Sequence, residues 1–100
     1  MNNEKSAVLL KEIRKDIDRI DNELIELLKQ RSECVEKVAK IKCENQLPIY
    51  DSKRENEILD EITDKNPTKY QNVDLANIFH TILRAGLNQQ LLYRSEHQDS

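Results

Sequence analysis

Residues 6–47 read SAVLLKEIRKDIDRIDNELIELLKQRSECVEKVAKIKCENQL, a stretch with no glycine or proline. Ile13, Ile17, Ile20, Leu24 and Leu27 step by four and three, and Cys34, Val38 and Ile41 continue the series. That spacing lays one apolar stripe along a helix. Ser6 is suited to cap its start, and Pro48 stops it near Asn45 or Gln46. The pattern predicts a first helix over about 6–46. A helix of ~38 residues is ~57 Å long, several times the ~11–12 residues of an average globular helix.

A second helix is expected over 51–64, with Ile58, Leu59 and Ile62 as its apolar face and Asn66-Pro67 as its stop. A third is expected over 72–93, with Leu75, Ile78, Phe79, Ile82, Leu83, Leu87 and Leu91 on its buried side. The polar tail 94–100 is expected to fray. Gly occurs once and Pro twice, which favours helix and leaves few turns for a sheet. The fold class is therefore all-α, with three helices and a very long first one. Helices of ~14 and ~22 residues span ~21 and ~33 Å and cannot cover both ends of a ~57 Å helix. The uncovered stripe calls for a second copy of the chain, making a homodimer.

One hundred residues are expected to form one domain, 1–100. Apolar residues make up 37% and charged residues 35%, so the core of a single chain is lean. The net charge of −3 and the absence of a basic block argue against nucleic acid as a partner. A small anionic ligand stays compatible, because a pocket can be basic inside an acidic protein. The polar start Met1-Asn2-Asn3-Glu4-Lys5 leads into no long apolar run. Neither a signal peptide nor a membrane span is expected. Cys34 and Cys43 stand nine residues apart on one helix, too far to bridge each other. Reduced thiols and a cytoplasmic location follow.

Several residues break the pattern. Arg31 stands seven after Leu24, where the stripe calls for an apolar side chain. A buried guanidinium needs a carboxylate. That carboxylate belongs either to another helix or to a ligand, whose planar group the arginine fork fits in bidentate fashion. Lys42 returns to nearly the same face eleven residues later, ~16 Å further along; it is either a solvated lysine beside Lys40 or a second cation for a common ligand. Arg14 lies ~25 Å before Arg31 on the same helix. It is either a surface residue or a cation contributed to the partner's ligand in an antiparallel dimer.

The second helix opens with Asp51, Arg54 and Glu55. Ser52-x-x-Glu55 fits a capping box and Asp51 fits an N-cap. The same residues place a carboxylate and backbone N–H groups where a ligand hydroxyl or anion can bind. On the third helix, Gln90 interrupts the apolar face four residues after Gly86. A polar amide there needs a partner, in the core or in a ligand. Gly86 costs about 1 kcal/mol in a helix interior and points to close approach of a backbone or ligand. The chain carries no HExxH, CxxC or glycine-rich phosphate loop, and His80 and His97 lack metal-ligand spacing. Two or three cations, a carboxylate and an amide suit binding of a small dicarboxylate and stabilisation of charge upon it.

From about Leu10 to Gln90 the chain resembles the all-helical AroQ class of chorismate mutases. The resemblance is carried by Ile13-Arg14-x-x-Ile17-Asp18-x-Ile20-Asp21, by Leu27-Leu28-x-x-Arg31 and by Val38-Ala39-x-x-Lys42. It continues with Pro48-Ile49-Tyr50-Asp51-x-x-Arg54-Glu55 and ends at Gln90. It implies an intertwined homodimeric helical bundle whose two pockets each take residues from both chains. The implied reaction is the Claisen rearrangement of chorismate to prephenate, on the route to phenylalanine and tyrosine, with no cofactor and no metal. By position, Arg31 holds the ring carboxylate, and Arg14 from the partner, with Lys42, holds the side-chain carboxylate. Lys42 and Gln90 donate to the ether oxygen. Glu55 accepts from the ring hydroxyl near the Asp51 N–H, and Arg54 shapes the pocket's field.

Many relatives place serine where this chain has Gly86. Loss of that hydroxyl implies a bridging water, or binding weaker by roughly 1 kcal/mol. Two other readings compete. Isochorismate-pyruvate lyases resemble the chain at Arg14, Arg31, Lys42 and Gln90 but not in the Asp51/Arg54/Glu55 set. A non-catalytic helical dimer module explains the long stripe but not Arg31 within it.

Overall fold

Apolar side chains three and four apart drive this chain into α1 (Asn3–Glu44), α2 (Ser52–Asp64) and α3 (Asn72–His97). The computed structural model describes residues 3–98, and no strand occurs among them. The fold is all-helical, as the periodicity predicts. Among the described residues no helix is long and apolar enough to cross a membrane. The chain divides into two compact units, one up to Glu33 and one from Cys34 onward.

The first unit is the N-terminal part of α1. The helix already begins at Asn3, so Ser6 lies inside it and does not cap it. Nothing in Asn3-Glu4-Lys5 breaks a helix, and Glu4 in the first turn complements the positive end of the helix dipole. Ile13, Ile17, Ile20, Leu24 and Leu27 all point to solvent in the single chain, 45–59% exposed. Surface pairs such as Arg19 Nη1–Glu23 Oε1 at 2.9 Å add only a few tenths of a kcal/mol each.

The second unit contains the last turns of α1 together with α2 and α3. Its core is Ala39, Ile49, Leu75 and Leu83, with Gly86 also buried. Ala39 is fully buried. Ile58, Leu59 and Ile62 of α2 are half-buried, as are Phe79, Ile82 and Leu87 of α3, whereas Ile78 and Leu91 remain exposed. The expected apolar faces are the right ones, yet a single chain covers them only in part.

The ends of the helices show how the connections are built. The helical hydrogen bonding of α1 closes at Glu44, two residues before the expected 46. Leu47 N donates to Lys42 O at 2.8 Å and Gln46 N to Cys43 O at 3.4 Å. Gln46 takes φ 56°. This is a Schellman ending with glutamine at the left-handed position usually given to glycine, at a cost of about 1–2 kcal/mol. Pro48 follows and prevents the helix from resuming.

Asp51 caps α2: its Oδ1 accepts from Arg54 N at 3.0 Å. The capping box proposed for Ser52 and Glu55 does not form. Asp51 already holds the cap position, Ser52 is the first helical residue, and the Glu55 carboxylate turns to another partner. Between α2 and α3, Asn66 organises the loop. Its Oδ1 accepts from Thr68 N at 2.9 Å, and its Nδ2 donates to Tyr70 O at 2.8 Å and Asn72 Oδ1 at 2.9 Å. At the far end, α3 continues to His97, four residues beyond the expected end at Tyr93. His97 stacks on Tyr93 with ring centroids 3.9 Å apart, and its Nδ1 lies 2.9 Å from Tyr93 O. Arg94 Nη2 donates to Leu47 O and ties this last stretch to the α1–α2 connection. Residues 99 and 100 of the expected flexible tail lie outside the described residues.

Candidate functional site

Lys42, in the last turn of α1, is half-buried. Its Nζ donates to Ile49 O at 2.8 Å and to Gln90 Oε1 at 3.2 Å. One cation thus joins the end of α1, the following connection and α3. Lysine can only donate, so the face of the Gln90 amide turned to it must be the oxygen. Gln90 Nε2 is then left as a donor, with no protein acceptor among the described residues. An ammonium has three N–H groups, and two are engaged. The arrangement therefore holds two spare donors, one of them cationic, on a pair of side chains that fix each other.

Glu55 lies one turn into α2. Arg84 Nη2 of α3 stands 3.6 Å from its Oε1, and the glutamate side chain is only 14% exposed. Arg84 also lies over the Tyr50 ring, 5.5 Å from its centroid, and its Nε donates to His80 Nε2 at 3.4 Å. At least one carboxylate oxygen of Glu55 remains available as an acceptor. Arg84 escaped the sequence reading. Its only local signal is a charge beside the apolar positions Ile82 and Leu83, and nothing in the sequence pairs it with a glutamate twenty-nine residues earlier.

Asp51 serves α2 as its cap. Arg54 is exposed and stands 4.0 Å from Glu57 Oε2, a loose surface pair worth little in water. Gly86 is buried in α3. In the first unit, Arg31 is half-buried and Arg14 exposed. Neither meets a carboxylate within that unit. Cys34 and Cys43 are both unbridged.

An open groove of about 580 Å³ lies between the α1–α2 connection and the last turn of α3, lined by Cys43, Gln46, Leu47, Pro48, Arg94 and His97. It contains none of the expected site residues. The Lys42–Gln90 and Glu55–Arg84 constellations have the stronger chemical content, because they bring donors, a cation and a carboxylate acceptor onto rigid elements.

Comparison with known proteins matches residues 13–91 to the family of chorismate mutase type II. A chorismate mutase from Methanocaldococcus jannaschii is 37% identical over 93 residues, covering 90% of this chain and 92% of that protein. A bifunctional chorismate mutase/prephenate dehydratase from Aquifex aeolicus is 39% identical over 83 residues, 79% of this chain. The match spans only 23% of that longer protein. Among solved structures, chorismate mutase from Helicobacter pylori in complex with prephenate is similar with a TM-score of 0.81 and 32% identity, covering 90% of this chain and 98% of that one. Chorismate mutase (form II) from Thermus thermophilus is similar with a TM-score of 0.80 and 32% identity, covering 91% and 98%.

Proposed function

Because the chain belongs to the chorismate mutase type II family, we propose that it rearranges chorismate to prephenate in the supply of phenylalanine and tyrosine. The observation that carries this reading is the Lys42–Gln90 pair with its two spare donors. In this pericyclic reaction the ether C–O bond breaks as a C–C bond forms between the enolpyruvyl side chain and the ring. No nucleophile and no proton transfer is needed. Negative charge gathers on the ether oxygen as the bond stretches. Donors held in advance at that oxygen are worth more in the transition state than in the bound substrate, which raises turnover.

The remaining roles rest on the order and spacing of the residues. Arg31 holds the ring carboxylate. Arg14 of the partner subunit, assisted by Lys42, holds the side-chain carboxylate. Glu55 accepts from the ring hydroxyl beside the Asp51 N–H, and Arg54 adds positive potential. Holding both carboxylates fixes the side chain over the ring and removes rotational freedom before the reaction begins. The chain acts as one mutase domain in an intertwined homodimer in the cytoplasm. The exposed stripe from Ile13 to Leu27 supports the dimer, since a helix with an uncovered apolar face gains little from propensity alone. Its two unbridged cysteines suit a reducing compartment.

The test follows the ultraviolet loss of chorismate, with the product identified by mass, for the wild type, Arg31→Ala and Gln90→Ala. Prephenate formation that Arg31→Ala abolishes supports the assignment. Pyruvate release from isochorismate without prephenate formation replaces it with the lyase. A well-folded dimer inactive on both substrates leaves a helical interaction module.

A further inference from the structure

We propose that Arg84 is the positioning residue for Glu55, holding the carboxylate on α2 in place to accept the ring hydroxyl of the substrate. This rests on the chorismate reading of the site. Glu55 would ordinarily serve its own helix, because a glutamate in the first turn can reach back to the cap N–H. Here Asp51 does the capping, and Glu55 is left as a largely covered anion at 14% exposure. A charge with so little water around it needs an opposite charge beside it, and that partner also holds it in one rotamer. Among the described residues Arg84 is the cation that supplies it, at 3.6 Å.

Arg84 is itself held. Its guanidinium lies over the Tyr50 ring at 5.5 Å, and its Nε is bonded to His80 one turn earlier on α3. An arginine fixed on two sides presents its charge to Glu55 at small entropic cost. The contact engages one carboxylate oxygen at 3.6 Å, longer than a hydrogen bond, so acceptor capacity remains for a hydroxyl. The same helix carries Gln90, the partner of Lys42. Through Arg84 and Gln90, α3 therefore sets both the hydroxyl acceptor and the ether-oxygen donors.

The experiment measures kcat and KM on chorismate for the wild type, Arg84→Ala, Arg84→Lys, Glu55→Ala and the Arg84→Ala/Glu55→Ala double variant, each checked for helix content and dimer formation. Arg84→Ala is expected to lose about tenfold or more in kcat/KM, the scale of a misplaced binding group. Arg84→Lys should recover part of that loss by restoring the charge. The double variant should be no worse than Glu55→Ala alone within about twofold, since the two residues act as one unit. Losses that multiply in the double variant overturn the proposal, as does an Arg84→Ala enzyme with wild-type kinetics or a Glu55→Ala enzyme with none of the loss. Should Arg84→Ala fail to fold, Arg84→Lys and Arg84→Gln carry the comparison, with only lysine expected to retain activity. A folded wild-type dimer that leaves chorismate untouched overturns the function itself. An active wild type with multiplying losses overturns only the role of Arg84.

Discussion

Lys42 Nζ and Gln90 Oε1 lie 3.2 Å apart across forty-eight residues of sequence, and the contact determines which end of the glutamine amide is free. Because lysine offers only donors, Gln90 must accept through oxygen and keep its Nε2 hydrogens for a ligand. Replacing Gln90 with leucine is expected to reduce kcat more than it raises KM. Replacing Lys42 with alanine should cost about 10²–10³-fold in kcat, the scale of a lost donor at a developing charge. Steady-state kinetics at saturating chorismate checks both. A change confined to KM would mean that the pair serves binding alone.

The proposed sharing of each pocket between two chains makes a sharp prediction for mixed dimers. An Arg14→Ala chain and a Gln90→Ala chain are each expected to be nearly inactive as homodimers. After mixing and exchange, half the dimers are hybrids, and each hybrid carries one pocket with both replacements and one with neither. Activity should therefore rise to about a quarter of the wild-type value, as isologous symmetry requires. Mixtures that stay inactive after exchange, shown to be complete by mass spectrometry, would mean that Arg14 serves its own chain.

Gln46 stands at φ 56° at the end of α1. Gln46→Gly relieves the crowding of a side chain in the left-handed region, although glycine also loosens the unfolded chain. The net gain should be roughly 0.5–1 kcal/mol. Thermal unfolding at fixed protein concentration should show a Tm higher by a few degrees. An unchanged or lower Tm would mean that Gln46 makes compensating contacts in the dimer.

Gly86 is buried in α3, at the position where the family resemblance leads one to expect serine. Gly86→Ser should add a hydroxyl for a substrate carboxylate and remove a glycine from a helix interior. KM should fall by up to about fivefold, the equivalent of roughly 1 kcal/mol, with little change in kcat. A rise in KM would show that a side chain at position 86 crowds the site.

Local architecture is legible in the order of the amino acids alone. The three- and four-residue steps from Ile13 to Ile41, the stop at Pro48 and the break at Asn66-Pro67 act through neighbouring residues, so three helices and their approximate limits could be read directly. So could the resemblance, because its residues recur at fixed spacings along those helices. The remainder depends on contacts between distant segments. Asp51 displaces the Ser52–Glu55 box because only one residue can cap α2. The freed Glu55 meets Arg84, and Gln90 meets Lys42, through the approach of α3 to α2 and to the end of α1. The left-handed turn at Gln46 belongs to the same class, since a residue disfavoured there is held by the chain on either side. Helix periodicity is a property of short range and survives in sequence. The partner of a charge is chosen by packing, and no spacing along the chain records it.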